Sequence, residues 1–391
     1  MNSNSHADSS GSPRIKGWCP GAWRPMTTGD GLLVRVRPPL GELSREQTLA
    51  LCEAAETFGS GLIELTSRAN IQLRGMTEAT WAPLMEFLVE QQLVSDNAKI
   101  ERQPQIMLAP AWQTGDDTHT IAQQLQARGV ELAEMPGKVG IAIDAGEAPV
   151  LSDSAADFRV ERSIEGRLLV RAEGYALGTA VADAEAAVTL LIRLTHWFMQ
   201  SGGEISRRMA RHRAPLPVWA SADMPPAPPG SKLAIGDHGA GRVYGLAFGR
   251  VDAATLRALV TPRAVSHVRI TPWRRLWVNG ATAPVTAGVI NDESDSRLLM
   301  DACPGAPYCA QASVATQPLA QRLTPHVEQR VHISACAKGC ARQQPAPVCL
   351  TGRNGRFDVI IDGCADSTPQ VAGLNESDVL DYLESLGALH L

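Results

Sequence analysis

Two stretches of this chain, far apart in sequence, align with each other without a gap. Val268-Arg269-Ile270-Thr271 and Leu276-Trp277-Val278-Asn279-Gly280 fall on Ile63-Glu64-Leu65-Thr66 and Ile71-Gln72-Leu73-Arg74-Gly75, so a pair of strand-like runs joined by a turn occurs twice. The elements before each match agree as well. In the first copy, Gly31 to Arg37 reads as a strand, and Ser44 is placed to cap a helix whose capping box is completed by Gln47; Gly59 stops that helix after Phe58. In the second copy, Val243 to Phe248 reads as a strand and Asp252 as the N-cap of a helix running to Val260. A chain that repeats one supersecondary unit must pair the two copies to bury the apolar face of each.

A longer stretch follows each copy. After the first come a turn into a strand over Pro136 to Asp144, a strand over Arg167 to Arg171 and a helix from Ala180 to about Gln200. After the second come a cysteine-rich segment, a strand over Pro347 to Leu350, the turn Arg353-Asn354-Gly355, and a strand over Arg356 to Asp362. Pro215 to Pro229 is proline-rich and reads as a linker between the halves. The expected plan is a pseudo-two-fold α+β protein. Its 391 residues are enough for two or three structural units, and 44% hydrophobic residues suffice for full cores.

With 36 Lys+Arg against 41 Asp+Glu, the formal net charge is -5, so no overall positive field would gather nucleic acid. The densest basic run, Ser206 to Arg213, lacks interleaved aromatics and reads as the charged end of a helix. The polar opening from Met1 to Ser12 has no export pattern, and the apolar stretch Ala187 to Met199 is broken by Arg193 and His196. A cytoplasmic protein with neither nucleic-acid nor membrane partners is expected.

In such a compartment cysteines are ligands or reduced thiols rather than disulfides. Four of the eight fall in two pairs, Cys303-x5-Cys309 and Cys336-x3-Cys340. Prolines and Gly305 bend the first loop, and an i, i+4 pair would share one face of a helical turn. The spacing by itself leaves open an iron–sulfur cluster, a zinc site and inert thiols, although five intervening residues are awkward for a zinc knuckle. Cys19, Cys52, Cys349 and Cys364 read as small buried hydrophobes. No histidine pair has a ligand spacing, and no G-x-G-x-x-G follows a strand.

Several segments resemble the nitrite and sulfite reductase superfamily and, within it, the precorrin-3B synthase family. Cys19 to Arg35 is similar to the opening segment of that family, and Leu65 to Gly75 to the superfamily's tetrapyrrole-contacting segment. Val268 to Arg274 and Ala302 to Cys309 resemble the synthases rather than the reductases. The resemblance implies a nitrite/sulfite reductase-like α+β fold. Its parts would be a tail (1–16), a ferredoxin-like half-domain (17–95), an α/β domain (96–213), a linker (214–230), a second half-domain (231–290) and a second α/β domain (291–391).

The resemblance further implies an oxygen-dependent monooxygenase that hydroxylates precorrin-3A at C20, with lactone formation, in aerobic cobalamin biosynthesis. Cys303, Cys309, Cys336 and Cys340 would then hold a [4Fe-4S] cluster, beside a mononuclear non-haem iron. Electrons derived from NADH would come from a donor protein or an NADH-linked reductase. Arg68 and Lys138 occupy positions that contact the tetrapyrrole in the reductases, but Gly140 stands where a second lysine would. Ala335 replaces a usual glycine and Pro347 a frequent acidic residue. These departures count against the alternative, a siroheme-dependent sulfite or nitrite reductase; a third reading is a zinc-stabilised protein without activity. A polycarboxylate substrate calls for arginines, whose forked donors fit carboxylates. Arg35 and Arg37 share one strand face, and Arg68, Arg74, Arg269, Arg274 and Arg275 lie in the matching strands and turns. Of these, Arg35, Arg37, Arg68, Lys138, Arg269 and Arg274 are the candidate substrate contacts, and Trp273 and Trp277 are a candidate wall of an apolar pocket.

Overall fold

The computed structural model describes residues 20–281 and 287–385, so the expected tail (1–16) and Cys19 lie outside the described residues. The described residues divide into two compact units, one comprising residues 20–27 and 31–293, the other residues 28–30 and 294–385. Among the described residues no helix is long and apolar enough to cross a membrane.

The larger unit begins with β1 (Met26–Thr28), β2 (Gly31–Val36), β3 (Glu42–Ser44), α1 (Arg45–Phe58), β4 (Leu62–Leu65), β5 (Ile71–Met76) and α2 (Glu78–Glu90). The expected capping box starts α1: Ser44 Oγ accepts from Gln47 N while Gln47 Oε1 accepts from Ser44 N, each at 3.1 Å. Leu51, Cys52, Ala54 and Ala55 form its buried stripe. An α/β portion follows, with β6 (Gln105–Leu108), α3 (Asp117–Ala127), β7 (Gly140–Ile143), β8 (Phe158–Arg162), β9 (Leu168–Ala172), β10 (Thr179–Val181), α4 (Ala184–Phe198) and the short α5 (Glu204–Ser206). Its sheet order is β10-β9-β8-β7-β6, with β6, β7 and β8 parallel and the other pairs antiparallel. Ile121 and Leu125 of α3 meet Val188 and Leu191 of α4 in its core.

The second copy of the repeat supplies β11 (Gly236–His238), β12 (Gly241–Gly245), β13 (Arg250–Asp252), α6 (Ala253–Val260), β14 (His267–Ile270) and β15 (Arg275–Asn279). The two hairpins match in register, Ile63 opposite Leu73 and Val268 opposite Val278. Their turns match in hydrogen bonding too. Thr66 Oγ1 accepts from the backbone N–H groups of Arg68 and Asn70, and Thr271 Oγ1 from those of Trp273 and Arg275. The residue in the left-handed region is Ala69 (φ 52°) in one turn and Arg274 (φ 61°) in the other.

The copies are not two separate sheets. The orders are β1-β2-β5-β4-β13 and β11-β12-β15-β14-β3, so each copy lends its short third strand to the other's edge. Both junctions carry an ion pair at the same register. Arg250 faces Glu64 at 2.6 Å, where Arg74 also reaches Glu64 at 3.1 Å; Arg269 faces Glu42 at 2.7 Å. The first copy thus contributes Glu at both positions and the second Arg at both.

Several boundaries differ from expectation. The strand expected over Val243 to Phe248 ends at Gly245, because residues 247–249 form a 3-10 turn with Phe248 at φ 58°, the counterpart of the turn over 39–41 with Leu40 at φ 55°. Asp252 occupies the N-cap of α6 without a side-chain cap hydrogen bond. The helix expected from Ala180 starts at Ala184, since residues 179–181 pair as edge strand β10 and Asp183 accepts from Ala186 N. Beyond Phe198 the backbone widens into a π-type turn over Met199–Gly203. The proline-rich stretch does not run free: Pro226 bridges to Ser163 and Met224 to Gly178 along the α/β sheet. The basic run follows α5, with Arg208 Nε on the fully buried Asp157 at 2.9 Å.

The smaller unit contains β16 (Met300–Ala302), α7 (Gln317–Leu323), β17 (Val331–Ser334), β18 (Ala346–Arg353), β19 (Arg356–Gly363), β20 (Val371–Leu374) and α8 (Glu376–Ser385). Its sheet, β16-β17-β18-β19-β20, has the strand order and directions of the first α/β sheet: three parallel, then two antiparallel. Asn354 (φ 52°) and Gly355 (φ 78°) make the expected tight hairpin turn.

Glu64→Ala removes the carboxylate that two buried guanidinium groups face. It is expected to lower the unfolding free energy by about 3–5 kcal/mol in urea titration; a loss below about 1 kcal/mol would show that the junction does not depend on this pair.

Candidate functional site

β16 and β17 are parallel neighbours, with Ala302 opposite Ile333. The chain leaves the C-terminal end of β16 directly into Cys303 and that of β17 into Ala335 and Cys336. Two loops rising side by side from the carboxyl ends of parallel strands are where α/β sheets place ligands.

Both loops are braced. Thr316 Oγ1 donates to the Cys303 carbonyl at 2.5 Å, and Cys309 N donates to Gly305 O at 2.8 Å. Gly305 holds φ 66°, and a Cβ on it would lie 2.5 Å from Thr316 Oγ1, so the bend tolerates glycine alone. The second pair lies on a turn rather than the expected helical turn, because Gly339 adopts φ 58°. Ser334 Oγ donates to the Cys336 carbonyl at 2.7 Å, and the Gln343 carboxamide donates to the carbonyls of Lys338 and Gly339. The loops are also joined, since Ala335 N donates to Cys303 Sγ at 3.2 Å.

Burial raises the pKa of Cys303, against hydrogen bonds from the Ala335 and Gly305 backbone and from Thr316. Cys340 is pushed up to about 11, first by desolvation, with Lys338 lowering it and Cys303, Cys336 and Cys309 raising it further. Cys340 thus feels the other three thiols, and Cys303 feels Cys309. Yet among the described residues no three His, Cys, Asp or Glu side chains gather tightly enough to hold one metal ion. The two pairs stand on adjoining loops, and thiolates so placed are ligands for iron–sulfur clusters and zinc alike. Thr316, Ser334 and Gln343 gave no signal in sequence, because their partners are backbone carbonyls.

The other described cysteines are free. Cys52 and Cys349 are buried, as expected, with burial pushing them to about 12 and about 11. Cys364 is only half-buried, contrary to expectation, because its Sγ turns to the Gln343 carbonyl at 3.4 Å.

The basic candidates belong to the larger unit. Arg68 Nη1 donates to the Lys138 carbonyl at 2.8 Å, so the two residues carried over from the tetrapyrrole-binding pattern meet. Arg35 is half-buried on β2 opposite Gln72. Arg37 lies just past the end of β2 with Nη1 on the Gln103 carbonyl, bordering a cavity of about 580 Å³. Arg274 sits at the tip of the β14–β15 turn. Arg269 is 7% exposed and held from several sides. Its Nε meets Glu42, its Nη1 the carbonyls of Pro110 and Trp112, and its guanidinium lies over the rings of Trp112 (3.7 Å) and Trp277 (5.0 Å). That is a packing role for Arg269 and Trp277. Arg74 and Arg275 are likewise tied, to Glu64 and Glu293.

Residues 24–91 match the sequence model of the nitrite/sulfite reductase ferredoxin-like half domain. A precorrin-3B synthase from Sinorhizobium sp is 31% identical, in an alignment covering 96% of this chain and 88% of that protein. The chain belongs to the precorrin-3B synthase family. It is accordingly an enzyme of the oxidoreductase class, within the nitrite and sulfite reductase superfamily. Among solved structures, the NirA protein of Mycobacterium tuberculosis shares the fold, with a TM-score of 0.59 and 18% identity, covering 90% of this chain and 79% of that one. The precorrin-3B synthase family thus builds on the same α+β fold that the repeat implied.

Thr316→Val keeps the shape of a fully buried side chain but removes its bond to the Cys303 carbonyl. Thermal or urea unfolding is expected to show a loss of about 1–3 kcal/mol, and an unchanged midpoint would refute the brace.

Proposed function

We propose that this protein is an oxygen-dependent precorrin-3B synthase, hydroxylating precorrin-3A at C20 with lactone formation from a ring acetate, and that it works in the cytoplasm. The observation that carries this reading is the match to a precorrin-3B synthase over 96% of the chain. Cys303, Cys309, Cys336 and Cys340 fit a [4Fe-4S] cluster in donor chemistry, in their place on two loops leaving adjacent parallel strands, and in the N–H donated from Ala335 to a sulfur. When bound, a cluster supplies single electrons, which the reaction of triplet dioxygen with a closed-shell substrate requires.

The chain's own residues bind and orient. Arg68, Lys138, Arg35 and Arg274 are proposed to hold the substrate's carboxylates, with the Arg68 guanidinium anchored on the Lys138 carbonyl. Arg269, held by Glu42 and by the Pro110 and Trp112 carbonyls, is left out of that set, as is Arg37, whose Nη1 serves the Gln103 carbonyl. A mononuclear non-haem iron beside the cluster is part of the proposal, and no ligands are assigned to it. Electrons are proposed to come from a separate donor, ultimately NADH. The siroheme alternative is disfavoured by Gly140 in place of a second lysine.

Anaerobic purification with metal and sulfide analysis tests the reading. About four iron and four sulfide per chain are expected from the cluster, with iron above that reporting a further site; siroheme in an acid-acetone extract would overturn the assignment in favour of a reductase. Cys336→Ser should lose the brown absorption and turnover together, and a full cluster in that variant would refute the ligand set. Arg68→Ala should keep its cluster but bind precorrin-3A more weakly by about 1.5–3 kcal/mol; unchanged affinity in equilibrium titration would remove Arg68 from the site.

A further inference from the structure

We propose that Gln343 is a positioning residue for the second cysteine pair, and that its carboxamide sets how firmly Cys336 and Cys340 are presented to their metal. The inference rests on the reading of the four cysteines as iron–sulfur ligands and names a residue outside that set. Ser334 Oγ holds the start of the turn at the Cys336 carbonyl, but its middle is weakly closed: Gly339 lies in the left-handed region, and its N–H reaches the Cys336 carbonyl only at 3.5 Å. Gln343 Nε2 closes it from below, donating to Gly339 O at 2.5 Å and Lys338 O at 3.2 Å. The main chain of Gln343 is anchored in turn, since its carbonyl accepts from Cys364 Sγ at 3.4 Å while Arg342 N donates to Gly339 O at 3.2 Å. The first cysteine pair uses a different brace, Thr316 on the Cys303 carbonyl. Loss of the Gln343 bonds should therefore loosen one pair and spare the other.

The test compares the full-length protein as isolated anaerobically with Gln343→Glu, which keeps the length but sets a carboxylate against two carbonyls, and with Gln343→Ala. Release of iron to a chelator is followed while a thiol-alkylating reagent is present, and the four cysteines are read separately by mass spectrometry. Both variants should release iron roughly tenfold faster than the parent, with labelling of Cys336 and Cys340 accelerated over the parent, that of Cys303 and Cys309 unchanged and the melting midpoint little changed. Equal release rates, or labelling accelerated at all four cysteines alike, would overturn the proposal. Were the parent protein to hold no iron, the cluster reading would fail, and the change in labelling alone would still decide the role of Gln343.

Discussion

The exchange of β3 and β13 between the two halves of the repeat is the interaction on which the larger unit depends. A sheet edge presents unpaired N–H and C=O groups, and each half closes its edge with the other's strand. The charges at these junctions make the exchange selective. Because the first half carries Glu42 and Glu64 while the second carries Arg250 and Arg269, unlike halves meet as ion pairs. Two first halves would set Glu42 against Glu64, and two second halves Arg250 against Arg269. Like charges at such a buried position are strongly disfavoured, so the two halves of one chain are each other's preferred partners.

That arrangement also accounts for arginines that a substrate-centred reading would spend on carboxylates of the ligand. Arg74, Arg250 and Arg269 neutralise carboxylates inside the sheet junctions. Arg269 does more, since it lies between two tryptophan rings and binds the carbonyls of residues 110 and 112, tying the start of the α/β portion to the repeat. Of the basic candidates, Arg68 is tied to the loop that carries Lys138 through that residue's carbonyl.

The smaller unit solves a different problem. Its two cysteine loops need to approach each other with little regular structure between them, and they do so by leaving adjacent parallel strands at the same end. Side chains that donate to carbonyls stiffen each loop, and an N–H···S bond links them. Burial holds the Cys303 thiol in its protonated form, so it is a metal, displacing the protons, that would make this group of sulfurs a site.

The sequence by itself determined the elements whose cause is local. The repeat was legible because the strand-like runs of each hairpin and the turn between them are written in residues a few positions apart, and α1 because Ser44 and Gln47 cap it within one turn. The two cysteine pairs were legible as pairs for the same reason. Only the tertiary structure decided which half each short strand would pair with, since β3 and β13 are three residues long and their hydrogen-bond partners lie more than 180 positions away. It likewise decided that the helix-like spacing of Cys336 and Cys340 would become a turn, and that Thr316, Ser334 and Gln343 would hold the loops. Those side chains act on backbone carbonyls brought near by folding, and a backbone carbonyl leaves no mark in an amino-acid sequence.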